Sequence, residues 1–273
     1  MFNMERMKRL LAIPSVSEDE LRLDFSKIEF LSVFEITELF FHIVANHEFG
    51  RYKIIGENNE VVTYLQRINF FYALGNAMTI PGTGKSSQTG EQARLIEMEA
   101  FQYKPEFETA SKRLYAIFQQ IGLSQETTSL IGASLSEVAD NSFLHNLGKW
   151  PSKVGPLVAT LIQQYPQKKE LSISLCDFGV GFLRTLKSNY PKLPNEQAAI
   201  ELALQPNTTS RAGHRGGNGL YFLRKSVFNG LRGALSIRSS DTLAQIDPNG
   251  KTRLLASGLP FSFGTNVEFG IKY

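Results

Sequence analysis

The sequence has one cysteine, Cys176, among 273 residues. That excludes a disulfide framework and a zinc site built on several thiolates, and it fits a cytoplasmic chain. Apolar runs long enough to cross a bilayer are absent, so no membrane partner is expected. Charge of one sign is also scarce. The formal net charge is +3 and the basic residues are scattered, without the clustered basic face that nucleic acid requires. The opening segment MFNMERMKRLLAIPSVSEDE lacks the apolar core and small-residue cleavage site of a signal peptide. Internal repeats and long low-complexity tracts are absent as well.

What is present is an alternation of apolar patterns. Residues 1–20 read as a short helix and a polar loop. Leu21–Phe30 alternates like a strand, Ile36–Ala45 has a broad apolar face like a helix, Arg51–Ile55 reads as a strand and Val61–Leu74 as an amphipathic helix. A segment rich in Gly, Ser and Thr follows at Ile80–Glu91 and reads as a connection. It contains Gly84-Lys85-Ser86, but position 79 is Thr79, where a phosphate-binding P-loop needs glycine. Beyond it come helices at Ser111–Ile121 and Glu126–Asn146 and a strand at Glu170–Asp177. A helix at Leu220–Asn229 and strands at Ala234–Ser239 and Gly264–Lys272 complete the pattern. This order predicts an α+β fold with helices on one face of a mixed sheet.

Four short elements carry chemistry. Glu137, Asn141 and His145 recur every four residues, along one side of a helix. An amide oxygen from Asn141 suits Mg²⁺, and a carboxylate one turn earlier can orient or deprotonate a nucleophile. His145 is placed to support Glu137, or simply to sit on the helix surface. Next, Asp177-Phe-Gly179-Val-Gly181 ends a strand. The Asp can accept a hydrogen bond from an exocyclic amine, and Gly179 and Gly181 let the backbone approach a ligand. No HRD or VAIK element accompanies it, so it is not the DFG of a protein kinase. The third element runs His214-Arg215-Gly216-Gly217-Asn218-Gly219-Leu220 into a helix. Its backbone N–H groups can hold an anion, and Arg211, His214 and Arg215 add positive charge. Finally, Gly264-Thr265 opens the last strand, where the Thr265 hydroxyl can meet adenine directly or through water.

In order and spacing these elements resemble the N box (Glu137, Asn141), G1 box (Asp177, Gly179, Gly181), G2 box (Gly217, Gly219, Leu220) and final GT strand (Gly264, Thr265) of the GHKL ATPases. The resemblance covers about residues 105–273. It implies a two-layer α/β sandwich of the GHKL (Bergerat) type that binds ATP and Mg²⁺. Asn141 would ligate the metal and Asp177 would read adenine. Gly179 and Gly181 would make room for the nucleotide, the Thr208–Gly219 loop would form a lid, and Glu137 would act as base or water-orienting group. Residues 1–80 resemble a STAS-type α/β domain, with Ser32 near that family's phosphoacceptor position, and residues 81–104 read as a linker.

The pairing points to anti-sigma-type serine kinases. The expected activity is ATP hydrolysis or phosphoryl transfer to a protein serine or threonine, with a regulatory protein partner. The alternative is a non-catalytic nucleotide sensor whose lid binds a partner. Several proteins of the resembled class dimerise, so a homodimer is allowed. A histidine kinase is disfavoured, because His42 and His47 lie in the wrong setting and no HExRTP-like run exists.

Overall fold

A computed structural model describes residues 4–17, 20–46, 51–57, 59–77, 95–145, 157–210, 217–259, 261 and 264–273. The N-terminal part comprises α1 (Met4–Leu11), β1 (Pro14–Ser17), β2 (Glu20–Asp24), α2 (Val33–Asn46), β3 (Arg51–Ile55), α3 (Glu60–Arg67) and α4 (Phe70–Ala77). Then follow β4 (Leu95–Phe101), α5 (Lys104–Gln120), α6 (Gln125–His145), β5 (Val158–Tyr165) and β6 (Glu170–Asp177). The chain continues through α7 (Phe182–Leu186), α8 (Glu196–Ala203), α9 (Gly219–Lys225), β7 (Ala234–Ser239), β8 (Thr242–Ile246), β9 (Thr252–Ala256) and β10 (Thr265–Lys272). Among the described residues no helix is long and apolar enough to cross a membrane.

The fold is α+β. The small sheet has the order β1-β2-β3, with β2 and β3 parallel and joined through α2. The large sheet has seven strands in the order β4-β5-β6-β10-β7-β8-β9, and every neighbouring pair is antiparallel. On its front face Leu171, Ile173 and Leu175 of β6, Leu235 and Ile237 of β7, and Val267, Phe269 and Ile271 of β10 form one core with α5, α6, α8 and α9. This is the helix-covered face expected from period-two alternation.

The rear face is covered too. Helix α2 lies against β5, β6 and β10. Its residues join Leu157, Ala159, Leu161, Cys176 and Phe178 in a second core, which also takes in the small sheet and α3–α4. A helix buried on several sides has no solvent-facing stripe, and in α2 even the polar residues Glu35, Thr37, Glu38 and His42 are buried. The two-layer expectation therefore gains a third layer, supplied by the N-terminal part. Cys176 is fully buried beneath α2, in a packing role.

Local differences have local causes. The expected helix over 61–74 breaks into α3 and α4 at Asn69, whose backbone is left-handed at φ 60°. The Asn69 amide donates to Glu97 (2.6 Å), and the Met98 N–H bonds to the Ile68 carbonyl (2.8 Å), tying this break to β4. Residues 95–101, expected within a linker over 81–104, are thus an edge strand of the large sheet. The segment Gly84–Ser86 lies outside the described residues. Ser32 precedes α2 and caps it. Its backbone N–H donates to Glu35 Oε2 (2.8 Å) and its hydroxyl accepts the Glu35 N–H (3.3 Å), the reciprocal arrangement of a capping box.

Candidate functional site

Sheet register assembles the floor of the site. Asp177 at the end of β6 and Thr265 at the start of β10 are direct cross-strand partners. Gly264 makes this possible. At φ +90°, a Cβ there would lie 2.0 Å from the Asp177 carbonyl oxygen, so only glycine fits. The Asp177 carboxylate, 7 % exposed, accepts the Gly179 N–H at Oδ1 (2.8 Å), and the Ser142 hydroxyl lies 3.0 Å from Oδ2.

Helix α6 forms one wall. It runs beside α5 and α9, with Ile131, Leu135, Val138 and Ala139 buried. That leaves Glu137, Asp140, Asn141 and Leu144 at the edge of a cavity. Gly219 at the start of α9 comes so close that a Cβ there would sit 2.4 Å from Glu137 Oε2 and 3.3 Å from the Asn141 amide nitrogen. Burial pushes the Glu137 carboxyl above its ordinary value, and the neighbouring Asp140 charge adds to the rise. Lys104 pairs with Asp140 at 2.8 Å.

The opposite rim is a backbone clasp. The Thr208 N–H bonds to the Gly217 carbonyl (3.1 Å), and the Asn207 N–H bonds to the Asn218 side chain (2.9 Å). Gly217 has φ +85°, and a Cβ there would lie 2.0 Å from the Thr208 carbonyl oxygen. The clasp fixes both ends of the expected lid. Arg211, His214, Arg215 and Gly216, which fall between, lie outside the described residues.

The cavity measures about 510 Å³, a common size for a small-molecule site. Glu137, Asn141, Asp177, Gly181, Thr208, Gly217, Asn218, Gly219, Leu220 and Thr265 all line it. Four elements far apart in sequence therefore converge. Gly179 does not line the cavity; it is buried behind it, and its N–H fixes Asp177. His145 is the last residue of α6.

The chain matches no protein-family model and no curated protein sequence.

Several lining residues carried no signal in the sequence. Ser142 follows Asn141 and turns inward, bonding both Asp177 and the Val138 carbonyl (3.0 Å each). Phe182, Thr185 and Leu186 come from α7, a single turn too short to show periodicity. Glu196, 6 % exposed, supports that turn without lining the cavity. It accepts the N–H groups of Phe182 (2.9 Å) and Leu183 (3.2 Å) and the Ser239 hydroxyl. Burial raises its pKa, against the lowering effect of these donors.

Proposed function

We propose that this chain binds Mg-ATP in the α6–α9 cavity and either hydrolyses it or transfers its γ-phosphoryl group to a protein serine or threonine. One observation carries the reading. Residues from each of the segments that resemble the GHKL N, G1 and G2 boxes and the final GT strand, all but Gly179 and Gly264, line a single cavity of about 510 Å³. Sequence spacing alone does not require that convergence. The finer fold assignment, a GHKL-type sandwich with a STAS-like N-terminal part, belongs to the same proposal.

The residues fit the ligand. Asp177 presents acceptors to the amine of adenine, with Thr265 beside it on the next strand. Mg²⁺ keeps most of its water and phosphate ligands and needs only one or two protein oxygens. The Asn141 side chain, at the cavity wall beside Gly219, would supply one. When bound, Mg²⁺ would neutralise phosphate charge. Glu137 adjoins Asn141 on the same helix face and would orient the attacking hydroxyl or water and take its proton. Its raised pKa makes it a better proton acceptor than an exposed carboxylate once ionised. The Thr208–Gly219 loop would close over the phosphates as a lid.

A second reading rests on the rim, where Leu144 is 41 % and Phe222 36 % exposed beside the cavity. Such an apolar lip would suit a nucleotide sensor that docks a regulatory protein partner when loaded. Incubation with ATP labelled on the γ-phosphate separates the readings. Label release or transfer that Glu137→Ala abolishes while ATP still binds supports the enzyme. Tight binding without turnover supports the sensor. Absence of ATP binding sinks both.

A further inference from the structure

We infer that helix α2 positions the nucleotide site from behind the sheet, so that Phe41, Phe40 and Glu38 are positioning residues for ATP. This rests on the Mg-ATP reading above. Adjacent residues of a strand point to opposite faces. Asp177 and Thr265 face the cavity, so Phe178 and Asn266, the residues that follow them, face α2.

The rear contacts are specific. The Phe178 ring, fully buried, meets Phe41 at 5.0 Å and Phe40 at 6.2 Å between centroids. The Asn266 amide donates to Glu38 Oε1 (2.8 Å) and Thr37 Oγ1 (3.0 Å) and accepts from Ser174 (2.7 Å). These three bonds leave it a single orientation. Glu38 also accepts from Arg238, which precedes Ser239; the Ser239 hydroxyl accepts the Phe182 N–H at the cavity loop (3.1 Å). Thr37, Glu38, Ser174, Arg238 and Asn266 are all 0 % exposed. A charged pair tolerates such burial only in tight geometry, which gives α2 one docked position.

Phe178 and Asn266 thus each sit one residue from a cavity group, Asp177 and Thr265. A shift of α2 moves Phe178 and Asn266, and with them Asp177 and Thr265. Phe41→Leu removes the ring that supports Phe178 while keeping the core apolar.

The test is calorimetric titration of the full chain with Mg-ATP and Mg-GTP, alongside hydrogen exchange of the wild type with and without Mg-ATP. In Phe41→Leu the ATP dissociation constant should rise about three- to tenfold, the size of coupling carried through packed side chains. Full stoichiometry should persist, and the preference for ATP over GTP should fall. A purely structural role would lower the binding-competent fraction and leave that preference unchanged. In the wild type, ATP should slow exchange in α2 more than in β4, an edge strand of the sheet. A folded Phe41→Leu with unchanged affinity and preference, or α2 protection no greater than that of β4 with ATP bound, overturns the inference. Should Phe41→Leu not fold, the wild-type exchange decides alone. A wild type that binds no ATP overturns the reading of the site, and this inference with it.

Discussion

A methyl group at position 219 would sit 2.4 Å from Glu137 Oε2, the tip of a flexible side chain. The fold should therefore survive Gly219→Ala, with the carboxylate displaced. Binding of ATP is expected to persist while turnover falls about 10²-fold or more, the usual contribution of a general base. Unchanged turnover would remove Glu137 from that role. Position 264 behaves differently, because its Cβ would strike the Asp177 carbonyl 2.0 Å away with φ at +90°. No flexible group can yield, and the strained backbone alone costs about 1–3 kcal/mol. Gly264→Ala should lower the melting temperature and weaken ATP binding together. The pH profile offers a third check. A base acts when ionised, so turnover should climb as pH rises through the Glu137 pKa, which burial holds above the ordinary value. Asp140→Asn removes the second cause of that rise and should move the climbing limb to lower pH. A limb that stays in place belongs to another group.

The α2–sheet contact is the element most sensitive to a single change. Glu38→Gln leaves the fully buried Arg238 guanidinium without its carboxylate, and breaking such a pair costs about 3–5 kcal/mol. Thermal denaturation should show that loss, and replacing both residues by methionine should recover much of it. The same contact explains why only half of the architecture was legible. Front-face positions Leu171, Ile173 and Leu175 alternate with Ser172 and Ser174, which suggests a solvent-facing rear. Ser174 and, on β10, Asn266 are fully buried nonetheless, because α2 brings Thr37 and Glu38 to meet them. No local pattern in β6 or β10 announces a partner more than a hundred residues away. Strand β5 escaped notice for a related reason. Val158 and Ile162 serve the front core while Ala159 and Leu161 serve the rear, so the alternation vanishes. The candidate site was more legible, because the spacing of its four motifs does not depend on the rear face. Glu196 was invisible, as a helix-start glutamate ordinarily reads as solvent-exposed.

At the scale of the molecule, the N-terminal part and the large sheet share one core. It runs from Leu10 through Leu23, Phe40 and Leu74 to Leu161, Phe178 and Leu259. Separating residues 95–273 would strip Phe178 and Leu161 of their apolar neighbours and open the Arg238–Asn266 cluster to water. That fragment should therefore aggregate or bind ATP poorly. The intact chain should unfold in one calorimetric transition, with van't Hoff and calorimetric enthalpies equal. Ligand linkage sharpens the test, since ATP at about 100 times its dissociation constant stabilises the state that binds it by about 2.7 kcal/mol. In one cooperative unit the whole transition moves upward with ATP, including the signal from α2. Were the N-terminal part an independent module, two transitions would appear and only that of the large sheet would shift. The shared core and the buried Glu38–Arg238 pair both require the first outcome.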